Sequence, residues 1–360
     1  MPTFSPGCTR LADGSDLLKL RLHHFDLPLR HVFTISRESI SVQPTLIVEL
    51  SDGEHRGFGE ATANAYYGAT VERMVADLRS LQDEIEAHSS SDPESLWDQI
   101  GLRLTDDFFA LCALDQAAHD LHGKLKNKPL HQIWGQTLDQ CPVSNFTIGI
   151  DRVEVMIEKL QEVPGWPVYK IKLGTAQDLE IIEALRKHTD ATFRVDANCG
   201  WSAQETIDNS ARLVDLGVEF IEQPLPADDW EGQRRVFENS SLPLIADESC
   251  ILEADVAACE QAFHGVNIKL VKCGGLTPAR RMIRDAKSRG LKVMVGCMTE
   301  STVGISAIAQ LLPELDYVDM DGAALLSRDI ARGATVVQGR CQFPTGNGSG
   351  AELFEDNLIP

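Results

Sequence analysis

Two rhythms of apolar positions run along the chain, and the change between them falls after Pro129. Before it, residues 17–27 (LLKLRLHHFDL) and 45–53 (TLIVELSDG) have strand-like patterning, and Asp52-Gly53 closes the second as a turn pair. Residues 70–86 place apolar side chains at helical spacing, and 106–126 form an Ala/Leu-rich stretch with an acidic start and a basic end, as a helix dipole favours. Strands first and helices after predict an α+β domain over 16–127, preceded by a loose tail over 1–15. Beyond Pro129, short β-branched runs alternate with longer helical patterns. Strands are predicted at 143–150, 168–173, 193–197, 218–222, 244–247, 266–272, 292–297 and 317–321, with helices such as 178–188, 203–216, 254–261 and 278–289 between them. Eight such units predict an α/β class, TIM-type (β/α)8 barrel over 128–330. Residues 331–360 are Gly-rich without a helical pattern, and are read as a segment returning to the first domain.

Charged residues recur about every 25 positions at the predicted strand ends: Lys172, Asp196, Glu222, Asp247, Lys272 and, after Cys297, Asp321. In a (β/α)8 barrel the strand C-termini share one mouth, so these charges converge there. Asp196, Glu222 and Asp247 end three successive strands. An all-oxygen set without histidine suits a hard cation, Mg2+ or alternatively Mn2+; the competing reading is three helix caps. Lys170 and Lys172 are two apart on one strand and share a face, and two neighbouring ammonium groups are expected to depress the pKa of one toward that of a general base. On the sixth strand alternation separates Lys269 from Lys272, and the spacing favours Lys272 as the catalytic one, leaving Lys269 a structural role. Lysines on strands two and six would approach a bound carbon from opposite sides, the geometry of racemisation or epimerisation through an ene-diolate stabilised by the metal. Asp319 and Asp321 share a face at the eighth strand's end and suit a cationic substrate group such as an α-ammonium, a second metal or a helix cap being the alternatives.

Composition removes other classes. The net charge of -21 opposes binding to nucleic acid or to anionic membrane surfaces, and no stretch reaches the ~18 apolar residues that span a bilayer. Nine cysteines without a C-x-x-C, and an N-terminus lacking a signal-peptide pattern, suggest reduced thiols and a cytoplasmic protein. Cys199, Cys250, Cys273 and Cys297 near strand ends are read as small fillers. No phosphate-binding glycine loop is present.

K-x-K at Lys170 and Lys172, D-A-N at Asp196 to Asn198, E-Q-P at Glu222 to Pro224, A-D-E-S at Ala246 to Ser249 and K-x-G-G at Lys272 to Gly275 together resemble the enolase superfamily, muconate-lactonising-enzyme subgroup. The resemblance runs from about residue 17 to the end. It implies a capping domain over the mouth, a barrel of the modified (β/α)7β kind, and substrate-contacting loops around 27–40 and 60–68. The D-x-D of Asp319 and Asp321 resembles the dipeptide epimerases, including those acting on L-Ala-D/L-Glu. That likeness implies a dipeptide whose ammonium these residues hold, inversion at its C-terminal residue, and Thr147, Cys297, Met298 and Thr299 in the pocket. It also implies a homo-oligomer. Ile40 stands where members acting on L-Ala-D/L-Glu carry an arginine, so an apolar second residue is expected, with Arg30 or Arg37 as the alternative partners of an acidic one. The rival readings are a cycloisomerase or o-succinylbenzoate-type dehydratase, a metal-independent Schiff-base aldolase, and a non-catalytic binding protein.

Overall fold

A computed structural model describes residues 18–36, 38–88 and 92–357; the tail at 1–15 and Arg37 lie outside them. Eight parallel strands form the central sheet: β4 (Phe146–Ile148), β5 (Val168–Lys172), β6 (Thr192–Asp196), β7 (Val218–Glu222), β8 (Leu244–Ala246), β9 (Gly265–Ile268), β10 (Lys292–Gly296) and β11 (Tyr317–Asp319). They are hydrogen-bonded in sequence order, and a parallel bridge from Ser144 to Val318 brings first and last together. Their short β-branched runs are buried on both faces, as parallel strands covered by helices require. After β11 comes a 3-10 turn, Gly322–Leu325, in place of an eighth α-helix. No helix among the described residues is long and apolar enough to cross a membrane.

The N-terminal domain is an antiparallel meander of β1 (Lys19–Thr34), β2 (Ser39–Ser51) and β3 (Arg56–Thr62). Helix Phe108–Leu125 lies so close to β3 that a Cβ on Gly57 or Gly59 would meet the carbonyl oxygens of Ala117 and Ala113 at 2.2 and 2.1 Å. The segment expected as a loop over 27–40 is, at its described residues, the end of the β1–β2 hairpin. Pairing breaks after Pro28, which has no N–H to give, and resumes with Phe33 opposite Ile40 and Thr34 opposite Ser39. On β9 the expected strand 266–272 stops at Ile268, and Leu270–Cys273 forms a helical turn that ends at the left-handed Gly274.

Two carboxylates tie this domain to the barrel at helix N-termini, where backbone N–H groups have no helical partner. Asp115 accepts from Thr277 N at 2.9 Å and Thr277 Oγ1 at 2.7 Å, at the start of helix Leu276–Ser288. Glu60 accepts from Ser301 N and Gly304 N, each at 3.0 Å, at the start of helix Thr302–Ala309. Glu60 is therefore a clamp rather than a substrate-loop residue. The C-terminal segment packs on the same domain: Ser349 N and Oγ donate to Asp120 at 2.7 and 2.9 Å.

Burial pushes the Asp115 carboxyl from its ordinary 3.8 up to about 7. A carboxyl raised on folding contributes stability that is complete below its unfolded value and is lost as pH rises through the folded one. Asp115→Asn cannot ionise, so its Tm should fall less than that of the native protein between pH 4 and 7, by about 5 °C in calorimetry. Identical slopes would show that Asp115 is already ionised across that range.

Candidate active site

The C-terminal strand ends open into a cavity of about 820 Å³, its open mouth included. The N-terminal domain closes one side with Phe33, Ile35, Glu38 and Ile40 from the hairpin tip and with Asn64, Tyr66 and Tyr67 after β3. From the barrel come Thr147, Lys170, Lys172 and Asp247, then Lys269, and then Cys297, Met298, Thr299, Asp319 and Asp321. The aromatic wall of Phe33, Tyr66 and Tyr67 falls within the segments 27–40 and 60–68 that the resemblance implies as substrate-contacting, although no periodic pattern singles out these three residues.

Asp196, Glu222 and Asp247 are buried, and one oxygen from each lies within 4.8 Å of the others. Their backbone is bent to aim them. Asn198, Cys199 and Gln223 have φ of 45°, 65° and 33°, a conformation that costs ordinary residues energy and concentrates at functional sites. The Gln223 side chain joins two of the strand ends. Its Oε1 accepts from Asp247 N at 2.9 Å and Ser249 N at 3.1 Å, while its Nε2 donates to Leu225 O at 2.9 Å and Ser249 Oγ at 2.8 Å. Asn267 donates to Glu222 Oε1 at 2.8 Å. Three converging carboxylates without histidine or thiolate fit a hard divalent cation, and three negative charges packed in the interior require compensation.

Lysines supply that compensation. Lys170 Nζ lies 2.7 Å from Glu222 Oε2, 2.9 Å from Asp319 Oδ2 and 3.1 Å from Asp196 Oδ2. Lys172 donates to Asp196 Oδ2 at 2.6 Å, and Lys269 donates to Asp247 Oδ2 at 2.9 Å. Burial works against the charge on Lys170, but Asp319, Glu222, Asp196 and Asp247 outweigh it and hold its pKa well above the usual value. The expected depression by a lysine neighbour is thus overturned for Lys170: the carboxylates outnumber the ammonium groups. Lys269 is raised in the same way, chiefly by Asp247 against burial. Asp196 and Asp247 are lowered by the lysines in spite of burial, whereas Glu222 is pushed up to about 7 by burial and by Asp196.

The sixth-strand lysines exchange the places expected for them. Lys269 sits where β9 ends and lines the cavity. Lys272 lies in the following helical turn, off the wall of that cavity. Its Nζ donates to Asp247 Oδ1 at 2.6 Å, to the carbonyl oxygens of Asp247 and Cys250 at 2.5 and 3.0 Å, and to Asn267 O at 3.3 Å. The spacing from Asp247 favours Lys272 only if the strand runs on to 272; β9 ends at Ile268, so the cavity receives Lys269 instead.

Asp319 and Asp321 lie across the mouth from the triad. Asp319 accepts from Asn145 Nδ2 at 2.7 Å and Lys170 Nζ at 2.9 Å, and Asp321 accepts from Thr147 Oγ1 at 3.2 Å and from Thr147 N. Burial and Asp319 push Asp321 well up, while Lys170 holds Asp319 low despite burial. Asp321 makes no side-chain cap to the turn it precedes, which removes the helix-cap reading. Cys297 lies close enough to join both aspartates around an ion, but burial and the two aspartates hold its thiol protonated, a poor metal ligand. Arg30 donates Nε to Leu326 O at 2.9 Å and lines a neighbouring cavity instead of this one.

Comparison with known proteins places this geometry. The family model for the mandelate racemase / muconate lactonizing enzyme N-terminal domain matches residues 19–135, and that for the enolase C-terminal domain-like fold matches 153–357. The chain is 57% identical over 337 residues to the L-Ala-D/L-amino acid epimerase of Flavobacterium johnsoniae, covering 94% of this chain and 100% of that one. Among solved structures it superposes on the dipeptide epimerase from Methylococcus capsulatus complexed with Mg and L-Arg-D-Lys, with TM-score 0.86, 31% identity and coverage of 94% and 100%. It likewise superposes on the dipeptide epimerase from Cytophaga hutchinsonii complexed with Mg and D-Ala-L-Val, with TM-score 0.90, 25% identity and coverage of 95% and 97%.

Proposed function

The chain belongs to the mandelate racemase / muconate lactonizing enzyme family of the enolase superfamily, and from this we propose that it is a Mg2+-dependent dipeptide epimerase. It inverts the α-carbon of the dipeptide's C-terminal residue, with Lys172 and Lys269 as the opposed bases. The observation that carries the reading is that one cavity holds both lysines, with the carboxylate triad between their strands and a second carboxylate pair opposite. The epimerase activity of relatives and the Mg and dipeptides bound in neighbouring structures support it.

Asp196, Glu222 and Asp247 would hold the cation. Bound there, Mg2+ would engage the substrate's terminal carboxylate and offset the charge that develops as the α-proton leaves. Lys172 on β5 and Lys269 after β9 stand four strands apart in an eight-stranded barrel. One takes the proton from one face of the α-carbon and the other returns a proton to the opposite face, so either epimer serves as substrate. Asp319 and Asp321 receive the α-ammonium, and Thr147 fixes Asp321 for that contact.

Specificity at the second residue follows from the wall. Phe33, Ile35, Ile40, Met298 and Leu325 are apolar, while Glu38 and Glu248 would repel a side-chain carboxylate. The lysines of the wall are paired to the site's own carboxylates. We therefore expect apolar second residues to be preferred. With dipeptides L-Ala-X assayed by mass gain in deuterated water, kcat/KM for X = Leu, Met or Phe should exceed that for X = Glu at least about tenfold. Preference for Glu would overturn the specificity, and lack of exchange with any dipeptide would overturn the epimerase reading.

A further inference from the structure

Below the mouth, inside the barrel, a chain of buried polar groups runs from the floor up to Asp319. Arg194 of β6 donates Nε to Glu219 Oε2 at 2.9 Å, and its Nη1 to Val318 O at 3.0 Å and Asn145 Oδ1 at 3.3 Å. The Phe220 and Tyr317 rings lie on it, each with its centroid 5.2 Å from the guanidinium carbon. Asn145 is completely buried and donates Nδ2 to Asp319 Oδ1 at 2.7 Å. A guanidinium only donates, so the amide oxygen of Asn145 must face Arg194 and its NH2 group must face Asp319. A flipped amide would set donor against donor below and acceptor against carboxylate above. Lys170 holds the other Asp319 oxygen, so the carboxylate plane is fixed from two sides. Each oxygen keeps a lone pair for a further donor.

We infer that Asn145, oriented by Arg194, is a positioning residue that presents Asp319 to the substrate's α-ammonium and thereby selects dipeptides with a free amino terminus. This rests on the epimerase reading of the site. The Asn145 and Arg194 side chains make no hydrogen bond to the triad, to Lys172 or to Lys269, and Lys170 is the shared group between Asp319 and the triad. Loss of the relay therefore weakens recognition of the ammonium end more than proton transfer at the other end.

The test compares L-Ala-X with N-propanoyl-X, in which hydrogen replaces the ammonium, in native protein, Asn145→Ala and Arg194→Met. Native protein should favour L-Ala-X. In Asn145→Ala that preference should shrink about tenfold, the loss of one hydrogen bond to a charged group, and the change should appear in KM for L-Ala-X rather than in kcat. Arg194→Met should reduce the preference in the same direction, and the double variant should be no worse than the more affected single one, because both act through Asp319. Asn145→Ala is a small truncation that keeps the Arg194–Glu219 pair, so it remains informative if Arg194→Met fails to fold. Equal losses on both compounds would assign Asn145 a merely structural role and overturn the inference alone. A native protein without preference for the free ammonium would overturn both the inference and the ammonium site it depends on.

Discussion

Lys269→Ala is expected to lower epimerisation by at least about 10³-fold while leaving one half of the chemistry intact. In deuterated buffer, the epimer whose α-proton faces Lys172 should still exchange it, and the mirror epimer should not. Lys172→Ala should give the opposite pattern. The pairing of defects distinguishes bases on two faces from a general loss of electrostatic support, which would slow both epimers alike. Lys272 supplies the control. It is buried, and its ammonium is surrounded by the carbonyl oxygens of Asp247, Cys250 and Asn267 and by the Asp247 carboxylate. Lys272→Met leaves those acceptors without a donor, so its main expected effect is a lower Tm, with no difference between the epimers. One-sided exchange in Lys272→Met, with full activity in Lys269→Ala, would return the role to Lys272.

The choice between these lysines marks how far the sequence could be read. The ladder of charges was legible because each rung ends a short β-branched run at a fixed period, and strand ends in a parallel barrel share one rim. Asp196, Glu222 and Asp247 needed only that. Between Lys269 and Lys272 the choice depended on where β9 stops, and Leu270–Cys273 is too short a helical turn to show as periodicity. The left-handed Gly274, followed by Gly275, was the available signal: read as a C-cap, it moves the strand end back to Lys269. The groups that aim the ligands were less visible still. Gln223 acts through a left-handed backbone and four hydrogen bonds that tie two strand ends, and nothing in E-Q-P announces them. Asn145, Arg194 and Asn267 lie below the rim, where barrel interiors are ordinarily filled by apolar side chains. Glu60 stands at the edge of a segment expected to contact substrate and Asp115 within a helical pattern; their role as clamps depends on helix starts 241 and 162 residues away.

Exhaustive chelation should abolish epimerisation, by more than about 10³-fold, and added Mg2+ should restore it. The protein should remain folded throughout, because the triad has internal partners: Lys170 bridges Asp196 and Glu222, Lys172 holds Asp196, and Lys269 holds Asp247. Those contacts also explain why chemistry should stop. A lysine held charged by a carboxylate cannot take up a proton, and Lys269 stays above its ordinary pKa as long as Asp247 faces it unshielded. A divalent cation held by Asp247 would compete with Lys269 for that carboxylate and lower this lysine's affinity for a proton through its own charge. Binding to the folded state alone should raise Tm by a few degrees, about 2.7 kcal/mol of stabilisation at a hundredfold excess over Kd. Glu222→Gln should lose both the shift and the activity, since an amide donates where the cation needs a third anionic ligand. Undiminished turnover after chelation, confirmed by metal analysis of the sample, would reduce the triad to an anchor for the lysines and remove the cation from the reaction.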